Sequence, residues 1–380
     1  MDFTFSDEQK MLQEATRRFL AKDYAIETRQ QLRAASPSGR SETVWQTFAD
    51  LGLLALHVPE QEGGLDGGPV DTMLVMGALG EALVLEPYLA SAVIATRTIV
   101  ALGSEAQRSS LLPSLTTGEM VAVLAHDEPA TRHDWRAVAS RAWPVGNGYL
   151  LTGHKSVIAH GASADMLLVS ARLPATEREP RGPLAIFAIP RDTQGLRQQP
   201  YSTVDGVYAS DIWLDQVHVP ASAQLTGADD VDAALEKVLA TGLAALCAEA
   251  VGALDRLLAA CIEYARDRKQ FGVPIGKFQA LQHRMAEMVL HIEQARSMSY
   301  LAAVRCEDTD RASRQQALSA AKVVIGQACR FVGQQAVQLH GGMGVTDELN
   351  VSHYFKRLMA IELQFGSTDH HLALYARQLS

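Results

Sequence analysis

The chain has 380 residues, 47% of them hydrophobic and 20% charged, which suits two or three packed domains with a large core. A formal charge of −9 and a pI near 5.7 argue against nucleic acid or an anionic membrane surface as the main partner, because both need an excess of Lys and Arg. No basic region followed by an apolar run opens the sequence, no segment is expected to cross a bilayer, and Cys247, Cys261, Cys306 and Cys329 lack the paired spacing of a zinc site; no metal is expected, and a cytoplasmic location with buried, reduced thiols is.

Ser6-Asp7-Glu8-Gln9 predicts a capping box, and Met11, Leu12, Ala15, Phe19 and Leu20 give the helix after it one apolar face. A second helix is expected over about 42–51, on Val44, Trp45, Phe48 and Leu51. The glycine-rich stretch 59–69 reads as a loop. Helical patterns return over 70–85, 88–102 and 105–117, so residues 1–119 form an N-terminal all-α domain. From Met120 the period changes to short apolar runs, at 121–125, 149–151, 166–169, 184–189 and 207–219, which predict strands. Residues 120–228 are therefore a small middle β-barrel or sandwich domain. From Val231 the chain is helical again, over 233–264, 278–307, 312–339 and 351–380, and residues 229–380 are expected to form a C-terminal four-helix bundle. The fold class is α+β, multidomain.

One corner of that bundle gathers chemistry. Arg266, Arg268, Lys269 and Gln270 precede Phe271 and a turn holding Gly272, Pro274 and Gly276. Positive charge, a planar amide and an aromatic ring at a helix end suit a phosphate-bearing, flat-ringed ligand, and they equally suit a helix corner with a solvated basic edge.

Tyr264-Ala265-Arg266-Asp267-Arg268-Lys269-Gln270-Phe271-Gly272-Val273-Pro274-Ile275, with Phe278, Gln279 and Gln282, resembles the bundle motif of the acyl-CoA dehydrogenases. Gln338-Leu339-His340-Gly341-Gly342-Met343-Gly344 resembles their glycine-rich turn, and the order of helices, β domain and bundle agrees. Phe365 to Leu372 resembles bacterial members, some of which are two-gene oligomers. The resemblance implies FAD as cofactor, an acyl-CoA thioester as substrate, an electron-transferring flavoprotein as electron acceptor, and assembly as homo- or hetero-oligomeric dimers or tetramers. It implies that Arg268 pairs with the FAD pyrophosphate of a neighbouring subunit, that Gln270 and Phe271 pack on its adenosine side, and that Gln338, Gly341 and Gly342 approach the same moiety. Ile275, Phe278, Leu339, Ser367, Asp369, Ile158 and Ala159 complete the implied cofactor set.

The chain departs from the family where the reaction needs a base. Phe365 falls where most members carry the catalytic glutamate. Gly242, flanked by Thr241 and Leu243, falls where others carry it on the first bundle helix. Glu362 and Glu249 are the nearest carboxylates, and each also reads as an ordinary polar-face residue. In the β domain, His126-Asp127-Glu128-Pro129 and Val157-Ile158-Ala159 stand where the family holds the flavin ring with a Thr-Glu-Pro loop and a Trp-Ile-Thr strand. His126, His154 and His160 read as solvated turn histidines. Residues that would serve a neighbour's FAD are kept and those that would serve the chain's own flavin are altered, which points to a base-lacking subunit of a heteromer. A self-sufficient homo-oligomer with a relocated base, a non-catalytic assembly subunit and a flavin monooxygenase are the alternatives.

Overall fold

The computed structural model describes residues 4–35, 40–177 and 179–378, so the last two residues of the 351–380 helical pattern lie outside it. The capping box is formed: Gln9 N–H donates to Ser6 Oγ and Ser6 N–H to Gln9 Oε1, both at 3.1 Å, at the start of α1 (Asp7–Asp23). The other N-terminal helices are α2 (Ile26–Ala35), α3 (Glu42–Asp50), α4 (Pro69–Ala82), α5 (Thr96–Leu102) and α6 (Glu105–Thr116). A wide π-type segment, Tyr88–Ala95, runs into α5. Helix α2 buries Arg29 fully, its Nε donating to the Leu83 carbonyl at 2.8 Å.

The middle of the chain forms one seven-stranded sheet. Its strands are β1 (Ala122–Ala125), β2 (Arg141–Val145), β3 (Gly148–Ala159), β4 (Met166–Arg172), β5 (Leu184–Pro190), β6 (Leu196–Ser202) and β7 (Tyr208–Pro220). The order is β1-β4-β2-β3-β7-β6, with β5 on β4. Strands β2 and β6 have no apolar run to announce them. Strand β6 is an edge strand with a mostly exposed sequence, and β2 meets β4 through a single pair, Arg141 with Arg172, so each tolerates a proline.

The C-terminal third has five helices where four were expected: α7 (Val231–Asp267), α8 (Gln279–Arg305), α9 (Arg311–His340), α10 (Asn350–Leu363) and α11 (Thr368–Arg377). The break between α10 and α11 lies at Phe365 and Gly366, both left-handed, with φ of 56° and 108°. Helix α7 corrects a second expectation. It contains an 18-residue window that is long and apolar enough to cross a membrane, and 89% of that window is buried inside the protein, where alanines and leucines supply packing.

Packing groups these elements into two compact units: Met1–Gln31, Pro69–Val84 and Leu243–Ser380 in one, Leu32–Gly68 and Leu85–Gly242 in the other. In the sheet-containing unit, Ile99, Leu102 and Leu112 of the helices join Leu168 and Ile186 of the sheet in one core. In the helical unit α4 and α7 nearly touch. A Cβ on Gly80 would stand 2.1 Å from the Glu249 carbonyl oxygen, and one on Gly252 would stand 1.9 Å from that of Gly77. Only glycine permits that approach.

Candidate functional site

The bundle motif forms an exposed hairpin. Helix α7 ends at Asp267, and Lys269–Gln270 (β8) then pairs with Val273–Pro274 (β9). Phe271 and Gly272, at φ of 53° and 81°, make the two-residue connection, the pattern of a type I′ turn. Glycine adopts it freely. For a phenylalanine it costs about 1–2 kcal/mol, and strain of this kind collects at functional positions. Phe271 is 91% exposed, and its ring meets that of Phe278 edge-on at 6.1 Å. Arg268 is exposed, Gln270 folds its amide onto the Lys269 carbonyl at 2.9 Å, and Ile275 is buried at the hairpin root.

The glycine-rich turn stands at the end of α9. Gln338, Gly341 and Gly342 are exposed, whereas Leu339 is buried. A Cβ on Gly341 or Gly342 would meet nothing within 4 Å, so the backbone there is open to a ligand. The rings of Tyr264 and His340, at the ends of α7 and α9, stack at 4.2 Å and join the two segments. An exposed guanidinium fork, a projecting aromatic ring and an uncovered glycine backbone fit the adenosine diphosphate half of FAD. Arg268 would hold phosphate, Phe271 would cover a flat ring, and the Gly341–Gly342 backbone would lie close to both.

The candidate base positions give the opposite result. Phe365 is half-buried and offers no proton acceptor. Glu362 is no polar-face residue: it is 3% exposed, within 3.2 Å of the Arg330 guanidinium, and accepts the Thr368 N–H at 3.1 Å. Burial works to raise its pKa, but the Thr368 N–H and the charges of Arg330 and Lys322 outweigh burial and hold it below the usual carboxylate range. Lys322 Nζ donates to the carbonyls of Glu362 and Gly366, both at 2.8 Å, and pins the α10–α11 break. Glu249 is likewise buried, in a two-pronged pair with Arg357 at 2.6 and 2.9 Å. Both carboxylates are committed to cations. Ser367 caps α11 by accepting the His370 N–H at 3.3 Å, and Asp369 is exposed in its first turn.

In the sheet-containing unit, β3 carries a bulge between Lys155 and Ile158. Val157 sits in it at φ 55° and 58% exposed, while Ile158 is buried and Ala159 half-buried. The three histidines are not solvated turn residues. His126 is buried between Ser170 Oγ, at 2.9 Å, and the Trp135 carbonyl, at 2.8 Å, and burial, aided by the Lys155 charge, pushes its pKa down to about 3. His160 is buried too, and His154 stacks on Trp213 at 4.5 Å.

Lys155 itself went unnoticed in the sequence. It is completely buried, with Nζ donating to Glu128 Oε1 at 2.7 Å, Ser170 Oγ at 2.9 Å and the His126 carbonyl at 3.3 Å. Glu128 also accepts from Ala139 N–H, Ser140 N–H and Ser140 Oγ at 2.7–3.0 Å. Burial lowers the Lys155 pKa to about 8 against the pull of Glu128. The one available signal was a lysine between inward positions of an apolar strand.

Comparisons with known proteins agree over almost the whole chain. The family model for the acyl-CoA dehydrogenase N-terminal domain matches residues 6–119, that for the middle domain residues 124–217, and that for the C-terminal domain residues 232–380. Acyl-CoA dehydrogenase fadE12 of Mycobacterium tuberculosis is 30% identical, covering 92% of this chain and 90% of that one. Among solved structures, a variant of the Tcur3481-Tcur3483 steroid ACAD superposes with a TM-score of 0.87 at 27% identity over 98% of each chain. The ChsE4-ChsE5 complex from Mycobacterium tuberculosis gives 0.87 at 25% identity, over 100% of this chain and 99% of that one. The chain belongs to the acyl-CoA dehydrogenase family of FAD-dependent oxidoreductases.

Proposed function

We propose that this chain is the base-lacking subunit of a heteromeric acyl-CoA dehydrogenase, in which its hairpin and glycine turn complete the FAD site of a second, base-bearing subunit. The reaction is α,β-dehydrogenation of a CoA thioester: a carboxylate takes the α-proton, a hydride leaves the β-carbon, and the electrons pass on to an electron-transferring flavoprotein. Bound FAD supplies the hydride acceptor. The observation that carries the reading is that Glu362 and Glu249 are both tied into ion pairs, and the sequence resemblance, which sets Phe365 where most members carry the base, supports it. A base must be free to gain a proton, and a buried carboxylate whose oxygens are taken up by a guanidinium is poorly suited to that role. Support comes also from two solved relatives, the Tcur3481-Tcur3483 steroid ACAD and the ChsE4-ChsE5 complex, each of which pairs two proteins. We place the assembly in the cytoplasm, where four buried free cysteines stay reduced.

Purifying the chain alone and measuring acyl-CoA-dependent dye reduction tests the reading. No turnover alone, recovery with a same-family subunit from the genomic neighbourhood, and about one flavin per two chains in that mixed assembly are expected. Robust turnover by the chain alone would sink it.

A further inference from the structure

Tyr264 and His340 face each other at 4.2 Å with their planes 30° apart. Each ring stands at the root of one half of the cofactor cradle. Arg268 follows Tyr264 by one helical turn, its N–H donating to the Tyr264 carbonyl at 2.9 Å, and Gly341 and Gly342 follow His340 directly. His340 is fixed in turn. It is 5% exposed, and its Nδ1 lies 2.9 Å from the Ala336 carbonyl, which can only accept, so the ring proton resides on Nδ1. Burial holds the ring below the ordinary imidazole pKa, against the Ala336 carbonyl, which works to raise it. A Cβ on Gly344 would lie 3.1 Å from His340 Cβ, so the glycine turn closes against this residue. A neutral, flat, immobile ring thus stands between the two halves.

We propose that His340 is a positioning residue, whose stacked imidazole sets the spacing between the Arg268–Phe271 hairpin and the Gly341–Gly342 turn, and thereby the affinity for FAD. The proposal rests on the reading of these segments as the FAD cradle and is independent of whether a partner supplies the base. It assigns His340 no contact with FAD. What matters is a planar ring against Tyr264, so phenylalanine should serve and alanine should not.

The test is FAD titration, by fluorescence, of the full-length protein in its purified mixed oligomer with the same-family subunit, after flavin removal. His340→Ala, His340→Phe and a control, His291→Ala, are compared with wild type. His291 lies against Phe331 at 4.3 Å, tilted by 31°, elsewhere on the bundle, so its removal loses a comparable ring contact. His340→Ala is expected to bind FAD about tenfold more weakly, with His340→Phe and His291→Ala close to wild type. Wild-type affinity in His340→Ala, equal weakening in His340→Phe, or equal weakening in His291→Ala would each overturn the proposal. A wild-type oligomer that takes up no FAD would overturn the cofactor reading and this one with it, whereas the three variant results bear on the brace alone.

Discussion

The hairpin and glycine turn of the helical unit and the loop and bulged strand of the sheet-containing unit both concentrate charged and aromatic side chains, and they spend them in opposite ways. Around Lys155, ammonium, carboxylate, hydroxyl and imidazole groups are matched to one another. Around Arg268, the guanidinium, the Phe271 ring and the backbone beside Gly341 face outward. A satisfied buried network stabilises its own fold and has little left to offer a ligand. An exposed, strained cluster contributes little to its own fold, and its groups become useful when another molecule covers them. Residues that hold this chain together are thus distinct from those proposed to meet a cofactor.

Five substitutions break or sharpen that contrast. The largest effect is expected for Lys155→Met, which leaves the Glu128 carboxylate buried without its cation and should lower unfolding free energy by about 3–5 kcal/mol in denaturant titrations. Adding Glu128→Gln should recover part of the loss. Arg268→Ala should leave stability within error and weaken FAD binding by about 1.5–3 kcal/mol in the purified oligomer, the range for a hydrogen bond to a charged group. A fall in stability there would erase the distinction. Glu362→Gln should cost about 1–3 kcal/mol of stability, since buried donors lose a charged acceptor, while turnover with the base-bearing subunit persists. The folded-state pKa of Glu362 lies below its unfolded value, so its contribution is present above the unfolded carboxylate pKa and disappears as pH falls through the folded one. Wild type and Glu362→Gln should therefore converge in stability under acid. The smallest effect is expected for Phe271→Gly: relief of the left-handed phenylalanine should raise stability by about 1 kcal/mol while FAD binding weakens. Opposite signs from one substitution would mark Phe271 as kept for the ligand.

The sequence made those features visible wherever the physics was local. The Ser6–Gln9 capping box, the apolar runs of β1, β4 and β5 and the Gly272 turn each depend on a few adjacent residues, and each stands in the structure. What escaped depends on contacts distant in the chain. Strand β6 exists because β7 pairs with it, and Arg29 of α2 can be buried because it meets the Leu83 carbonyl. Glu362 looks like a surface residue until Arg330, on another helix, closes on it. Lys155 becomes intelligible only beside Glu128 and Ser170. Of the candidate site, the exposed cradle was legible because its motif is contiguous, and the fate of the carboxylates was not because their partners are remote.

The Phe271 tip also bears on how the chain must be made. A bare aromatic ring on a strained turn is an adhesive spot for any unassembled copy, and the hairpin bearing it has only two short strands to hold it. Synthesis in step with whatever covers the ring, cofactor or second subunit, would keep the lone form scarce. Soluble yield should rise on co-expression with that subunit and under riboflavin supplementation, and the gain should shrink for Phe271→Gly.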